Sequence, residues 1–339
     1  MQKKLVVSSS PFLRNPQVST KGIMLDVIIA LLPTALAAVW FFGAPALLVI
    51  LTSVLFCVFS EWAYEKIFHQ KSTIGDLSAV VTGLLLAFNM PANAPWWMAA
   101  VGAVVAIVLV KQFFGGLGQN FINPALAART ILMLSWTGLM AATAVPNAGQ
   151  LFGLGSQAVD AVAAATPLAK NAGTYGLWQL FSGNIPGMLG ETCKLTLLLG
   201  GIYLIVRRVI DWRVPVSFIL TAFVLFWIQT GVIYSPESGS QNVLYQLCSG
   251  GLLLGAFFMA TDYVTCPVSK LGRIIMGVGC ALLLFVIRVY NAGYPEGCSF
   301  AILFMNVLTP LIDKLTSRKP FGYAKPPKAV KAGKGDVKA

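Results

Sequence analysis

Apolar residues run in long blocks over almost the whole chain, and short polar stretches separate them. Ten blocks predict helices: about 23–42, 45–68, 76–90, 95–113, 124–140, 190–208, 214–233, 247–264, 272–290 and 298–315. Sustained apolar runs with few charges mark segments that cross a bilayer, where a helix satisfies every backbone polar group internally. The expected fold class is therefore an all-α integral membrane protein of about ten transmembrane helices. The first block is too long, and too poorly flanked, for a cleaved signal peptide.

Composition agrees with this pattern. Of 339 residues, 57% are hydrophobic and 11% charged, and mean hydropathy is +0.77. A soluble domain is nearer ~45–50% apolar and ~25% charged. The lipid bilayer is thus an expected partner and nucleic acid is not, because the net charge of +12 has a topological explanation. Basic residues cluster before the first block, after the second, around the turn after the fourth, after the sixth and eighth, and in the tail after the tenth. The loops 89–95, 235–242 and 291–297 carry none. The positive-inside rule then places both termini in the cytoplasm and the long polar stretch 141–188 outside, in a multi-pass protein of the cell's inner membrane.

The expected organisation is a five-helix repeat (1–140), an extracytoplasmic connection (141–188), a second five-helix repeat (189–316) and a basic cytoplasmic tail (317–339). Gly83-Leu84-Leu85-Leu86 recurs 168 residues later as Gly251-Leu252-Leu253-Leu254, and Asn123 recurs at that offset as Asn291. An odd number of spans per repeat inverts the second repeat, and inverted repeats place function at their interface. The third and eighth blocks are interrupted, at Asn89-Met90-Pro91 and at Ala260 to Pro267. Broken helices leave ends that can bind ions or cofactors.

Chemistry-bearing residues are few. Six cysteines without a C-x-x-C pair read as small buried apolar residues, or as a ligand shared with a partner subunit; with a single histidine the chain cannot assemble a zinc or iron–sulfur site by itself. Gly115, Gly116 and Gly118 have neither a preceding strand nor a following Lys-Ser/Thr, so they predict a tight turn rather than a nucleotide loop. After them, Asn120 and Asn123 either cap the helix that starts at Pro124 or offer amides to the edge of a non-covalent flavin or riboflavin. Glu61 and Asp262 are the candidates for ion binding, because charge at membrane depth is costly without a function. Asp262 is also a candidate for cofactor contact. In the outer stretch, Asp160-Ala161-Val162-Ala163-Ala164-Ala165-Thr166 resembles a flavin-attachment pattern: Asp, two residues, Ser/Thr, Gly, Ala, Thr/Ser. Asp160, Ala165 and Thr166 match; Ala163 and Ala164 depart.

Taken with Lys21 to Pro33, Lys111 to Arg129, Phe258 to Asp262 and Tyr294 to Gly297, this order of segments resembles RnfD, the D-type membrane component of the Rnf electron-transport complex. RnfD is related to the B-type component of the sodium-pumping NADH:quinone reductase. The resemblance implies a subunit, not catalytic alone, of a complex that moves electrons between ferredoxin and NAD and translocates Na⁺ or H⁺. It implies FMN joined through its phosphate to Thr166 by a flavin-transferring enzyme, and partner subunits that supply iron–sulfur centres, an NAD site and a second flavin. Two rival readings are a non-redox channel or transporter of the same architecture, and a scaffold component whose flavin site has decayed.

Overall fold

The computed structural model describes residues 19–146, 167–168, 175–234, 242–290 and 296–317. They form helices. In the first half these are α1 (Thr20–Phe42), α2 (Ala44–Ile67), α3 (Ser78–Phe88), α4 (Trp96–Gln112), α5 (Pro124–Ser135) and α6 (Thr137–Ala141). In the second half they are α7 (Leu177–Ser182), α8 (Lys194–Val206), α9 (Arg213–Thr230), α10 (Val243–Cys248), α11 (Leu252–Leu254), α12 (Lys270–Tyr290) and α13 (Cys298–Thr316). Five of them, α1, α2, α9, α12 and α13, are long and apolar enough to cross a membrane. Their exposed faces carry Leu, Ile, Val, Phe and Trp, as lipid-facing surfaces do. The chain is a helical membrane protein.

Local sequence accounts for the element boundaries. Ser19 Oγ caps α1 by accepting from the Gly22 N–H at 3.1 Å. Gly43, at φ +69°, turns the chain from α1 into α2 in a single residue, and Pro45 follows at the start of α2. Asn123 Oδ1 accepts from the Ala125 and Leu126 N–H groups at 3.1 and 3.3 Å, and Pro124 opens α5. Gly115, Gly116 and Gly118 all have positive φ, which makes the turn before α5 a glycine-dependent one.

Several expected blocks differ from the observed helices. The block 124–140 breaks at Trp136. The block 190–208 gives a helix only from Lys194, because the preceding residues turn against the end of α3. There Leu189 N–H donates to Met90 O (3.1 Å) and Gly190 N–H to Phe88 O (2.9 Å), and Pro91 bridges Met188. This pairing satisfies a carbonyl that the end of α3 would otherwise leave bare. α3 has 11 residues and spans about 16 Å, roughly half of a ~30 Å hydrocarbon core. The eighth block breaks into α10, α11 and a π-helical turn, Gly255–Met259. A π-helical stretch, Val105–Gln112, also ends α4.

Close packing depends on small residues. A Cβ at Gly83 would lie 2.7 Å from Val54 Cα, where α3 crosses α2. Gly83→Ala is expected to force these helices apart and cost about 1–3 kcal/mol. Thermal unfolding in detergent checks this; an unchanged midpoint would show that the crossing relaxes.

Candidate functional site

Three polar sites lie inside this apolar frame. The first is centred on Arg129, 2% exposed in the middle of α5. Its Nη1 donates to Asn89 Oδ1 (2.9 Å) and Ser299 Oγ (2.8 Å), and its Nη2 to Glu296 Oε2 (2.6 Å). Glu191 Oε1 lies 3.3 Å from Nη1. Beside them Lys194, wholly buried, donates to the Glu191 carbonyl and to Gly250 O (3.2 Å). Arg288 donates to Gln246 O (2.6 Å) and Ser249 O (3.0 Å). Asn89 closes the end of α3 by donating to Leu85 O at 2.6 Å.

The second site lies where α2, α3 and α4 meet. Glu61, fully buried, accepts from Lys111 Nζ at 2.8 and 3.0 Å, from Gln112 Nε2 at 3.0 Å and from Thr73 Oγ1 at 3.0 Å. Lys111 also donates to Ser78 Oγ at 2.6 Å. The wider π-helical turn carries Lys111 and Gln112 toward Glu61, a typical functional use of such turns. Lys111 and Arg129, read from sequence as basic residues flanking a turn on the cytoplasmic side, are thus buried and paired. Each has a carboxylate partner, which removes the cost that otherwise keeps such residues at the surface.

The third site is a cavity of about 90 Å³, lined in part by Ser78, Lys111, Asn120, Asn123, Phe258 and Asp262. Asn120, Asn123 and Asp262, distant in sequence, meet here. Asn120 Nδ2 donates to Ile122 O (3.0 Å), and its amide also pairs with Asp262. Asn123 Nδ2 donates to Met259 O (3.3 Å), so its cap oxygen and its amide nitrogen are both engaged. Glu61 stays outside the lining and reaches it only through Lys111.

Thr166, Asp160 and Ala165 lie outside the described residues. Pro167 and Leu168, which follow them, are described. Tyr245 Oη donates to Pro167 O at 3.2 Å. Leu168 Cδ1 lies 2.9 Å, and Arg288 Nη2 3.2 Å, from the point a Cβ on Gly250 would occupy. Arg288 makes no ion pair among the described residues, and its Nε is buried without a partner. Glu296 and Glu191 act on its charge at longer range.

The sequence reading missed Glu191, Lys194 and Arg288 altogether. The available signal was charge within or beside an apolar block. Arg129→Met is expected to cost about 3–5 kcal/mol by leaving buried carboxylates unpaired. Adding Glu296→Met should recover part of that loss. Unfolding midpoints of the single and double variants check this; simple additivity would mean that the pair does not interact.

The chain is similar over its length to several characterised proteins, each the D-type component of an ion-translocating complex. It is 47% identical to that of the Na⁺-translocating ferredoxin:NAD⁺ oxidoreductase complex of Acetobacterium woodii, covering 97% of this chain and 98% of that one. It is 40% identical to that of the proton-translocating ferredoxin:NAD⁺ oxidoreductase complex of Clostridium ljungdahlii, covering 93% and 96%. It is 37% identical to that of the ion-translocating oxidoreductase complex of Stutzerimonas stutzeri, covering 90% and 92%. Residues 6–322 match one family model, and the chain belongs to the NQR2, RnfD, RnfE family.

Proposed function

We propose that this chain is the RnfD component of an ion-translocating ferredoxin:NAD⁺ oxidoreductase complex, and that it works in the membrane without catalysis of its own. The observation that carries this reading is end-to-end similarity to relatives that are named as that component. Those names differ in the ion, so the coupling is to Na⁺ or H⁺. Partner subunits supply the iron–sulfur centres, the NAD site and a second flavin.

The cofactor of this reading is FMN, ester-linked to Thr166 by a flavin-transferring enzyme. Bound flavin takes up and releases one or two electrons, and the protein's part is to hold and orient it. Tyr245 anchors Pro167, the residue next to the attachment point, and Arg288 offers positive charge two residues farther on. In this reading a non-covalent flavin or riboflavin binds beside Asn120, Asn123 and Asp262, against Phe257 and Phe258, where the cavity must widen to admit it.

The topology we propose has ten spans in two inverted five-helix repeats, both termini cytoplasmic and 141–188 outside, in the inner membrane. Helices occur in each of the ten apolar blocks. The third and eighth blocks, in matching positions, hold the half-length α3 and the broken α10–α11. Half-helices that stop inside the membrane expose backbone dipoles to an ion route.

Two measurements test this reading. Protein co-expressed with its flavin-transferring enzyme, then denatured, is expected to fluoresce in the gel and yield a Thr166 peptide heavier by FMN; Thr166→Val should lose both. Absence of the adduct from wild-type protein selects the scaffold reading, which the departures at Ala163 and Ala164 favour. A non-covalent flavin would appear in the supernatant. In a background without native cysteines, Ser156→Cys should react with an impermeant maleimide from outside the cell, and Ser317→Cys only after permeabilisation. The reverse pattern would invert the topology.

A further inference from the structure

A second crevice lies at the ends of two membrane-spanning helices, sharing Val209, Ile210, Thr261 and Tyr263 with the wall of the third site. The loop joining α8 to α9, the residues before α12 and the first turn of α12 enclose it. Its volume is about 530 Å³, and its charged lining is Arg208, Asp211, Arg213 and Arg273. Asp211 fixes two of the arginines. Its Oδ2 accepts from Arg213 Nη1 at 2.8 Å and from Arg273 Nη1 at 2.5 Å, and its Oδ1 from the Arg213 N–H at 3.0 Å. Burial opposes ionisation of this carboxyl. The Arg213 N–H and the two guanidiniums outweigh burial and hold it below the usual carboxylate range.

One carboxylate thus serves two guanidiniums, and Arg208 has no partner among the described residues. With Asp211 ionised, the four groups sum to +2 (three arginines less one aspartate). Arg273 is further braced by its Nε donating to Pro267 O at 3.1 Å. Arg208 holds a left-handed backbone at φ +58°, uncommon for a residue with a side chain. Arg213 and Arg273 are therefore held in place, and the cluster remains under-neutralised.

The surroundings identify what would neutralise them. α9 and α12 are both long and apolar enough to span a bilayer. Just beyond the arginines these helices expose Val216 and Leu220 on one side, and Ile274 and Ile275 on the other. An acyl chain has an apolar surface there. Trp212, 52% exposed at the rim, stacks against Arg213 with the guanidinium 5.2 Å from the ring centre, the habit of an interfacial anchor. A soluble anion would use only the charge. A lipid uses the charge at headgroup depth and the apolar face below it.

We propose that this crevice binds the phosphate of an anionic phospholipid, with Arg208, Arg213 and Arg273 as its donors. On the topology above it draws from the cytoplasmic leaflet, which basic pockets between helices commonly sample. The lipid would tie the α8–α9 loop to the start of α12, segments otherwise joined here by Asp211 and by Tyr263 donating to Val209 O.

Native mass spectrometry of the purified full chain tests this. Detergent-solubilised protein is titrated with phosphatidylglycerol, with phosphatidylcholine, and with glycerol 3-phosphate or inorganic phosphate. Phosphatidylglycerol is expected to be retained in preference to phosphatidylcholine. Arg208→Gln, which removes no protein contact, should weaken its binding roughly fivefold, and Arg208→Gln with Arg213→Gln roughly thirtyfold, at about 1 kcal/mol per arginine. Phosphatidylglycerol should raise the unfolding temperature of wild-type protein and raise it less in Arg208→Gln. Equal retention of both lipids, or unchanged retention by the variants, overturns the proposal. So does soluble phosphate that binds as tightly as the lipid. A variant that fails to assemble with partner subunits while binding phosphatidylglycerol normally would assign the crevice to a protein interface instead.

Discussion

The fold is organised around a guanidinium that has no access to water. An ion moved from water to a low-dielectric interior loses several kcal/mol even after relaxation, and only close partners return it. Arg129 finds them on segments that chain order keeps far apart: Asn89 after α3, Glu191 before α8, and Glu296 and Ser299 at the start of α13. All must arrive together, because a missing partner would leave an uncompensated charge. The glycines around the cluster follow from that requirement. A Cβ on Gly251 would stand 2.5 Å from Glu191 Oε1, and one on Gly190 would stand 2.3 Å from Phe88 Cβ. This charge joins the two halves, together with the packing of α1 on α8.

The apolar blocks located the helices because lipid exposure and helical hydrogen bonding act on local sequence. The interruptions at Asn89-Met90-Pro91 and after Ala260 were legible for the same reason: α3 stops at Phe88, and the π-helical turn after α11 ends at Met259. The helix start at Asn123-Pro124 was legible as a cap. Partner choice was not. Lys111 and Arg129 obey the charge-bias rule as well as any loop residue, and nothing local shows that each has a carboxylate 50 or more residues away. Glu191 and Lys194 sit where an apolar block begins, so they pass for interfacial residues until the backbone hydrogen bonds of Leu189 and Gly190 to the end of α3 draw them inward. The convergence of Asn120, Asn123 and Asp262 on one cavity likewise depends on tertiary packing.

That packing also separates the two carboxylates that the sequence presented as equals. Glu61 is fully engaged: Lys111 meets both its oxygens, and Gln112 and Thr73 meet one of them. A cation can reach it only by displacing an ammonium already at hydrogen-bonding distance, at a site with no exposed surface. Asp262 is half-buried, lines the open cavity, and accepts from neutral groups such as Thr265 Oγ1 at 3.3 Å, with no ion pair among the described residues. Among the described residues it lacks the ammonium partner that Glu61 has. Packing, not local sequence, thus distinguishes the two: Glu61 is closed off in a buried ion pair with Lys111, whereas Asp262 faces a cavity.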